Sequence, residues 1–206
     1  MGNTRIIELK THNQMEKEIR NIQNRIKRAS EDSRIVEGVA VVFNSDSVDM
    51  GFTETIEPTA ITEETINSSD VFAYLNHDEN RGVLARSKYG EGTLNLWIEE
   101  DGLHYRFEAP MTQLGDELLS YLTRGEITAS SFAFTVAENG DTWSRGLDNS
   151  LKRHITKIDR LFDVSPVFQP AYETTSVAKR KVDELNAINA KLDALKQEFD
   201  DLYVKC

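Results

Sequence analysis

Short apolar runs that alternate with polar residues fill the middle of this 206-residue chain, from about Arg34 to Val177. Turn residues separate the runs, since this region holds all four prolines and most of the eleven glycines. Alternation with a period of two is typical of strands with one buried face. The stretch TQLGDELLSYLTRG differs, because its leucines have helical spacing, with Thr112 placed to cap the helix and Gly125 to end it. The pattern predicts a mainly β fold with embedded helices, in the α+β class.

The two ends of the chain carry a helical periodicity instead. In residues 11–28 an apolar stripe predicts an amphipathic helix, and its members are Met15, Ile19, Ile22 and Ile26. From Ala178 onward a heptad seam predicts a coiled coil or a helix packed on its own domain, and its members are Leu185, Ile188, Leu192, Leu195, Phe199 and Leu202. The chain is thus divided into an N-terminal helical arm (1–33), a central domain (34–177) and a C-terminal heptad helix (178–206). We expect these terminal helices to form a homo-oligomer or to bind a helical partner.

Charge and cysteine content exclude several classes of protein. The 24 basic and 35 acidic residues give a net charge of −11, which disfavours a nucleic-acid partner bound through its phosphates. No apolar run reaches membrane-spanning length, and the single cysteine, Cys206, allows neither a disulfide framework nor a thiolate metal cluster. We expect a cytosolic protein with no cofactor, no metal site and no membrane partner.

Two adjacent serines lie at the start of a predicted strand, in RGEITASSFAFTV. Because side chains alternate along a strand, Ser130 shares one face with two phenylalanines, and Ser131 shares the other with Ala133 and Thr135. Ser131 is predicted to look out from a row of small side chains, a surface on which an extended peptide could lie. Most strand serines are structural, so alternation alone makes Ser131 no more than a candidate nucleophile.

Serine-based acyl transfer also needs a base and a group that orients the base. His77 follows an apolar run in YLNHDEN, and Asp163 lies in the otherwise apolar RLFDVSPVF. A half-buried carboxylate needs a partner, and an imidazole would be suitable, although a histidine at a strand end is more often structural. The order His77, Ser131, Asp163 is not that of the α/β-hydrolases, chymotrypsin-like enzymes or subtilisins, and the absence of a Gly-x-Ser-x-Gly elbow argues against an esterase.

Six motifs follow one another from Glu37 to Val177, and they are EGVAVVFNSDS, GFTETIEPTAI, VFAYLNHDENRGVLARS, GTLNLWIEEDGLHYRFEAP, GDELLSYLTRGEITASSFAFTV and LFDVSPVFQPAYETTSV. This succession of motifs resembles the prohead proteases of tailed bacteriophages. The resemblance implies a serine endopeptidase that cleaves scaffold and major capsid protein inside the assembling prohead, in the host cytoplasm. It also implies a fold similar to the herpesvirus assemblins, a β-barrel ringed by helices.

The resemblance implies a role for each candidate residue. His77, in the Asn-His-Asp motif, would be the general base, and Ser131, in the Ser-Phe-x-Phe motif, the nucleophile. The family motif carries an acid before Val-Ser-x-Val, usually glutamate, which favours Asp163 as the third member; assemblin-like enzymes use a second histidine, which makes His154 the alternative. The alternative function is a non-catalytic scaffold or assembly module. An abandoned active site would be free to lose the base or the nucleophile, so the presence of both favours the enzyme.

Overall fold

Strands form most of the regular structure in the computed structural model, which describes residues 16–23, 25–146, 149–168 and 176–203. Met15 and Cys206 lie outside the described residues, as does the side chain of Leu202. The strands are Glu18–Ile22 (β1), Ile26–Arg28 (β2), Ile35–Val42 (β3), Thr53–Ile56 (β4), Asp70–Ala73 (β5), Ala85–Lys88 (β6), Glu91–Gly92 (β7), Leu94–Glu99 (β8), Gly102–Glu108 (β9), Ala129–Val136 (β10), Asp141–Arg145 (β11), Leu151–Ile155 (β12) and Ile158–Val167 (β13). The helices are Glu63–Ser68 (α1), Gln113–Arg124 (α2) and Ser176–Tyr203 (α3), with short 3-10 turns at Pro58–Ala60 and Glu79–Arg81.

These strands form three sheets. The largest has the order β1-β10-β13-β5-β6-β7, the second β2-β3-β9-β8 and the third β11-β12-β4. The pairing is antiparallel except between β13 and β5 and between β12 and β4. In the largest sheet Ser131 lies directly opposite Ser165, and Ala133 opposite Asp163. The mainly β prediction is confirmed, but among the described residues no sheet closes into a barrel, so the assemblin-like barrel is not confirmed.

The core lies between the six-stranded and four-stranded sheets. Strands β3 and β9 contribute Val36, Tyr105 and Phe107, while β10 contributes Phe132 and Phe134, and all five side chains are buried. These are alternate residues on each strand, so the period of two in the sequence did mark the buried faces. This packing fixes the inner face of β10 and leaves its other face for Ser131.

Helix α2 is the predicted TQLGDELLSYLTRG helix. The Thr112 side chain accepts a hydrogen bond from the backbone N–H of Gly115, which satisfies a free donor of the first turn. Gly125 ends the helix in the left-handed conformation, at φ 71°. Leu118 and Leu119 are buried, as the helical spacing predicts. Cap and periodicity agree here, and the predicted helix is confirmed.

The predicted N-terminal helix is wrong for the described residues, because the segment forms β1 and β2. Strand β1 pairs with β10, and β2 pairs with β3. The inward side chains of β1 are Glu18 and Arg20, both buried, which a search for apolar periodicity treats as solvent-facing. A buried charge needs a partner, and Arg20 bonds Glu54 while Glu18 bonds Arg153. Strand pairing with β10, with the buried charges satisfied by ion pairs, thus overrides a helical spacing of isoleucines.

The predicted C-terminal helix is present as α3. Its first turns pack on the domain, since Ala178 is buried against Phe52 and Leu151, with Val182 and Leu185 partly buried beside them. Further along, the seam residues Ile188, Leu192, Leu195 and Phe199 are exposed by 48%, 51%, 61% and 60%. No helix among the described residues is long and apolar enough to cross a membrane.

Candidate active site

The two serines of β10 have different partners. On the inner face Ser130 shares a 2.7 Å hydrogen bond with the hydroxyl of Tyr105. On the outer face the Oγ of Ser131 lies 2.6 Å from Nε2 of His77. It also donates a 2.9 Å hydrogen bond to the backbone carbonyl of Arg20 in β1. Only Ser131 is therefore placed beside a base.

The imidazole of His77 is presented by a tight turn that follows β5. Asn76 and His77 both have left-handed backbones, with φ of 57° and 59°, which is uncommon for residues other than glycine. The backbone N–H of Asn76 donates a 2.9 Å hydrogen bond to the carbonyl of Pro166, so the turn is held against β13. Backbone strain of this kind clusters at functional sites and persists only when the surrounding structure enforces it.

Asp163 lies on the far side of the imidazole from Ser131. Its Oδ1 is 2.6 Å from Nδ1 of His77, although the ring N–H is not aligned with that oxygen. Such contacts in active sites often align only in the substrate complex. The carboxylate is 1% exposed and therefore has the partner that a buried charge needs. Ser131, His77 and Asp163 thus form a contiguous row from hydroxyl to carboxylate.

The carboxylate of Asp163 is held in its ionised form. Burial alone raises its pKa, but the short contact with His77, the charge of Lys17 and a hydrogen bond from Ser165 outweigh this and lower the pKa below the usual range. Lys17 places its Nζ 3.1 Å from Oδ2, and the Oγ of Ser165 donates to Oδ1 at 2.8 Å. An ionised carboxylate at this position can stabilise a protonated imidazole.

His154, the alternative third member, lies elsewhere. It belongs to β12 in the three-stranded sheet, where it is paired with Thr142 and Thr55. Ser131 and Asp163 belong to neighbouring strands of the six-stranded sheet. The structure therefore brings Asp163 to His77, and among the described contacts none joins His154 to that group.

Residues 20–188 match a family described as caudovirus prohead serine protease. The chain belongs to this family. It is therefore a serine peptidase of prohead maturation in tailed phages. Among solved structures, the bacteriophage T4 capsid assembly protease, gp21, is similar over 77% of this chain and 100% of that chain, at 13% identity and a TM-score of 0.46. No curated protein matches the chain.

In this prohead protease the nucleophile candidate is less accessible than its sequence predicts. Ser131 and its outer-face neighbour Ala133 are both 0% exposed, so the expected open row of small side chains is wrong. Strand β1 lies alongside β10 and aligns Asn21 with Ser131, so the edge of β10 beside the serine is already paired. The imidazole of His77 stays 21% exposed and is the part of the group that solvent reaches.

A pocket of about 280 Å³ opens beside β1, between that strand and residues 45–50. Its lining includes Arg20, Glu54 and Phe132 but not His77, Ser131 or Asp163. The hydroxyl of Ser131 bonds the backbone carbonyl of Arg20, whose side chain pairs with Glu54. None of the three candidate residues lines this pocket.

Sequence reasoning missed two residues of this site, Lys17 and Ser165. Lys17 lies in a stretch that was interpreted as helix, so its position beside β13 could not be foreseen. Ser165 stands in the quoted Val-Ser-x-Val motif, two residues after Asp163 and therefore on the same face of β13. The two-residue spacing from Asp163 could have identified Ser165, whereas no sequence pattern identified Lys17.

Proposed function

We propose that Ser131 is the nucleophile of this peptidase, His77 its general base and Asp163 the residue that orients the base. The observation that carries the proposal is the row of two 2.6 Å contacts, from Oγ of Ser131 to Nε2 of His77 and from Nδ1 of His77 to Oδ1 of Asp163. A triad is recognised by such geometry and roles rather than by the order of residues in the chain. Membership of a serine protease family supports the same assignment.

The proposed reaction begins with the neutral imidazole carrying its proton on Nδ1. Nε2 takes the hydroxyl proton of Ser131 as Oγ bonds to the carbonyl carbon of the scissile peptide. The imidazolium, stabilised by Asp163, then gives the proton to the leaving nitrogen, and the carbon–nitrogen bond breaks. Water, deprotonated by the same imidazole, attacks the acyl-enzyme and releases the acid with Ser131 restored.

Two features of the site must change before attack. The single hydroxyl proton of Ser131 has two acceptors within reach, the carbonyl of Arg20 and Nε2 of His77, and it has to point at Nε2. The hydroxyl is also buried, so a peptide can contact it only after a local movement of the covering groups. We infer that this arrangement is the closed state of the enzyme.

The proposed substrates are the major capsid protein and the scaffold segment inside the prohead, in the host cytoplasm. The test is co-expression with the capsid protein encoded by the same phage, followed by intact-mass measurement of both proteins. We expect cleaved capsid protein with the wild type and none with Ser131→Ala. Uncleaved capsid protein in the presence of folded wild-type protein would instead favour the non-catalytic assembly module.

We further propose that the exposed seam of α3 joins copies of the chain. Each of the side chains Ile188, Leu192, Leu195 and Phe199 gains about 1.5–3 kcal/mol if a partner covers it fully. Ile19, Ile22 and Ile26 of the N-terminal stripe lie in β1 and β2, so these residues offer no helix that could cover the seam within the chain.

Light scattering tests this assembly with substitutions that keep the helix. The double variant Leu192→Gln with Leu195→Gln should shift the protein towards monomer. The matched variant Ala187→Gln with Ala194→Gln, which alters exposed positions off the seam, should not. Equal masses for the two variants would contradict the assembly role.

A further inference from the structure

Two groups besides His77 hold the carboxylate of Asp163. The Oγ of Ser165 donates a 2.8 Å hydrogen bond to Oδ1, and Nζ of Lys17 lies 3.1 Å from Oδ2. Ser165 is 0% exposed, whereas the side chain of Lys17 is 48% exposed. Solvent screens an exposed ammonium and leaves a buried hydroxyl unscreened, so Ser165 is the stronger geometric constraint of the two.

The hydroxyl of Ser165 also contacts the segment that carries the base. It accepts a 3.3 Å hydrogen bond from the backbone N–H of Tyr74, three residues before His77. The next contact of that segment is also with β13, where Asn76 donates to the carbonyl of Pro166. The hydroxyl of Ser165 therefore links the backbone of Tyr74, which leads to His77, with Oδ1 of Asp163, which faces the imidazole.

The position of Ser165 in the sheet also relates it and Asp163 to Ser131. Ser165 lies directly opposite Ser131 in the pairing of β10 with β13. Asp163 is two residues away on the same face of β13, so one strand register sets all three side chains. We propose that Ser165 is a positioning residue of this peptidase, one that fixes the Oδ1 of Asp163 in the orientation His77 needs. The inference rests on the proposed triad and adds to it a residue that touches neither substrate nor reacting atoms.

The physical reason is the direction of the hydrogen bond. A carboxylate attached through one methylene rotates about χ2, and that torsion is broad. The bond from Ser165 restricts the rotation and keeps Oδ1 within reach of Nδ1 of His77. Without it, Asp163 keeps its charge but samples orientations that do not support the imidazolium, so kcat should fall while KM stays nearly constant.

The experiment measures the activation of Ser131 without any assumption about the cleavage site. A fluorophosphonate reacts with an activated serine: the Oγ–phosphorus bond forms, fluoride leaves, and the hydroxyl proton passes to the imidazole. Intact mass follows the labelling rate of the full chain, and kcat and KM for capsid-protein cleavage are measured in parallel. We expect Ser165→Ala to lower the labelling rate and kcat by about tenfold or more, which is the range for losing a hydrogen bond to a charged group.

Ser69→Ala is the matched control. Ser69 is also a fully buried serine that accepts a hydrogen bond from a backbone N–H, that of Leu161 in β13, but its own hydroxyl donates to the carbonyl of Thr65. Both variants should lose stability, and only Ser165→Ala should lose labelling rate per folded molecule. Ser165→Thr, which keeps the hydroxyl, should restore the rate.

Each outcome decides one of the two proposals. If Ser131→Ala is labelled and cleaves like the wild type, the proposed triad is wrong. If Ser131→Ala is inert while Ser165→Ala and Ser69→Ala react like the wild type, the triad stands and the positioning role is overturned. Should Ser165→Ala not fold, Ser165→Cys keeps the volume with only a weak donor. A wild-type labelling rate in the folded Ser165→Cys protein would equally overturn the role.

Discussion

The inner and outer faces of β10 carry the same residue type in adjacent positions with opposite consequences. Ser130 and Ser131 are both completely buried. The inner serine bonds Tyr105, a neutral phenol in the core, and the outer serine contacts His77, which is backed by the carboxylate of Asp163. Burial therefore does not distinguish the proposed nucleophile from its neighbour. What differs is whether the partner can accept a proton and then be stabilised as a cation.

The inner pair is chemically inert for a clear reason. Burial raises the pKa of Tyr105, and the hydrogen bond with Ser130 offsets only part of that effect, so the phenol stays neutral. Its ring lies over Gly38, where an added Cβ would come within 2.4 Å of the ring. The inner face therefore uses its polar pair for packing, and we expect changes there to reduce stability while changes on the outer face reduce activity.

The largest difference is expected between the two serines themselves. Ser131→Ala should lower kcat/KM for capsid-protein cleavage by about 10⁴-fold or more, because the nucleophile is removed. Ser130→Ala should keep most of the activity but lose about 1–3 kcal/mol of unfolding free energy, since the Tyr105 hydroxyl is left without its partner. Cleavage rates and thermal denaturation check both. The reverse pattern would assign the nucleophile to the inner face.

His77→Ala should be about as damaging as loss of Ser131, because members of a catalytic unit act together. In the wild type, kcat/KM should fall as the solution becomes acid enough to protonate the imidazole of the free enzyme. Tyr105→Phe is the inner-face control, which should change stability and leave the pH profile in place. Near-full activity of His77→Ala would contradict its role as the base.

Asp163→Asn tests the third member against His154→Ala. Removing the charge that supports the imidazolium should lower kcat by about 10⁴-fold, as in other serine-peptidase triads. His154→Ala should change kcat little, because this histidine lies on a different sheet. The kcat of each variant is compared with that of the wild type, and melting temperatures check that the thermal stability of both variants is unchanged. A larger loss in His154→Ala would exchange the two assignments.

A smaller effect is expected for Lys17→Met, which removes the cation beside Oδ2 of Asp163. Within the described part of the chain, the charged or titratable groups around this carboxylate are His77, Lys17 and Tyr74. Without the lysine, the carboxylate stabilises the imidazolium more strongly, so the acid limb of kcat/KM should move to higher pH. Because the Lys17 side chain is half exposed and its charge is screened by solvent, we expect only a small move. Lys181→Met, which makes the same charge change on α3, should leave the acid limb of kcat/KM where it is in the wild type. A move of this limb towards lower pH in Lys17→Met would contradict the prediction.

The smallest expected effect is on stability in acid. The pKa of Asp163 is lowered in the folded protein, so its ionised form adds stability above the unfolded pKa of about 3.9, and this is lost as the pH falls through the lower folded value. Asp163→Asn should therefore show a shallower decline of unfolding free energy below about pH 4 than the wild type. Urea unfolding at several pH values measures this, with Asp159→Asn, an exposed aspartate of the same strand, as control. Parallel declines in wild type and Asp163→Asn would contradict it.

The local sequence pattern was enough to predict structure wherever residues close in the sequence decide it. Thr112 and Gly125 marked the ends of α2. Alternation along β10 separated Ser131 from Ser130 before any partner was known. Each of these depends on backbone geometry within a few residues, which the sequence reports directly.

Only the tertiary structure decided the features that depend on distant partners. Glu18 and Arg20 lie in a strand paired with β10, and their burial is tolerated because Arg153 and Glu54 meet them. In the same way, the contacts that place Asp163 and Ser165 against the turn of His77, and β1 beside Ser131, join residues more than fifty positions apart. The sequence alone determined which side chains share a face of a strand. Which strands became neighbours depended on long-range strand pairing and on the shared apolar core, and a buried charge such as that of Arg20 is tolerated only where a distant partner meets it, which no local pattern shows.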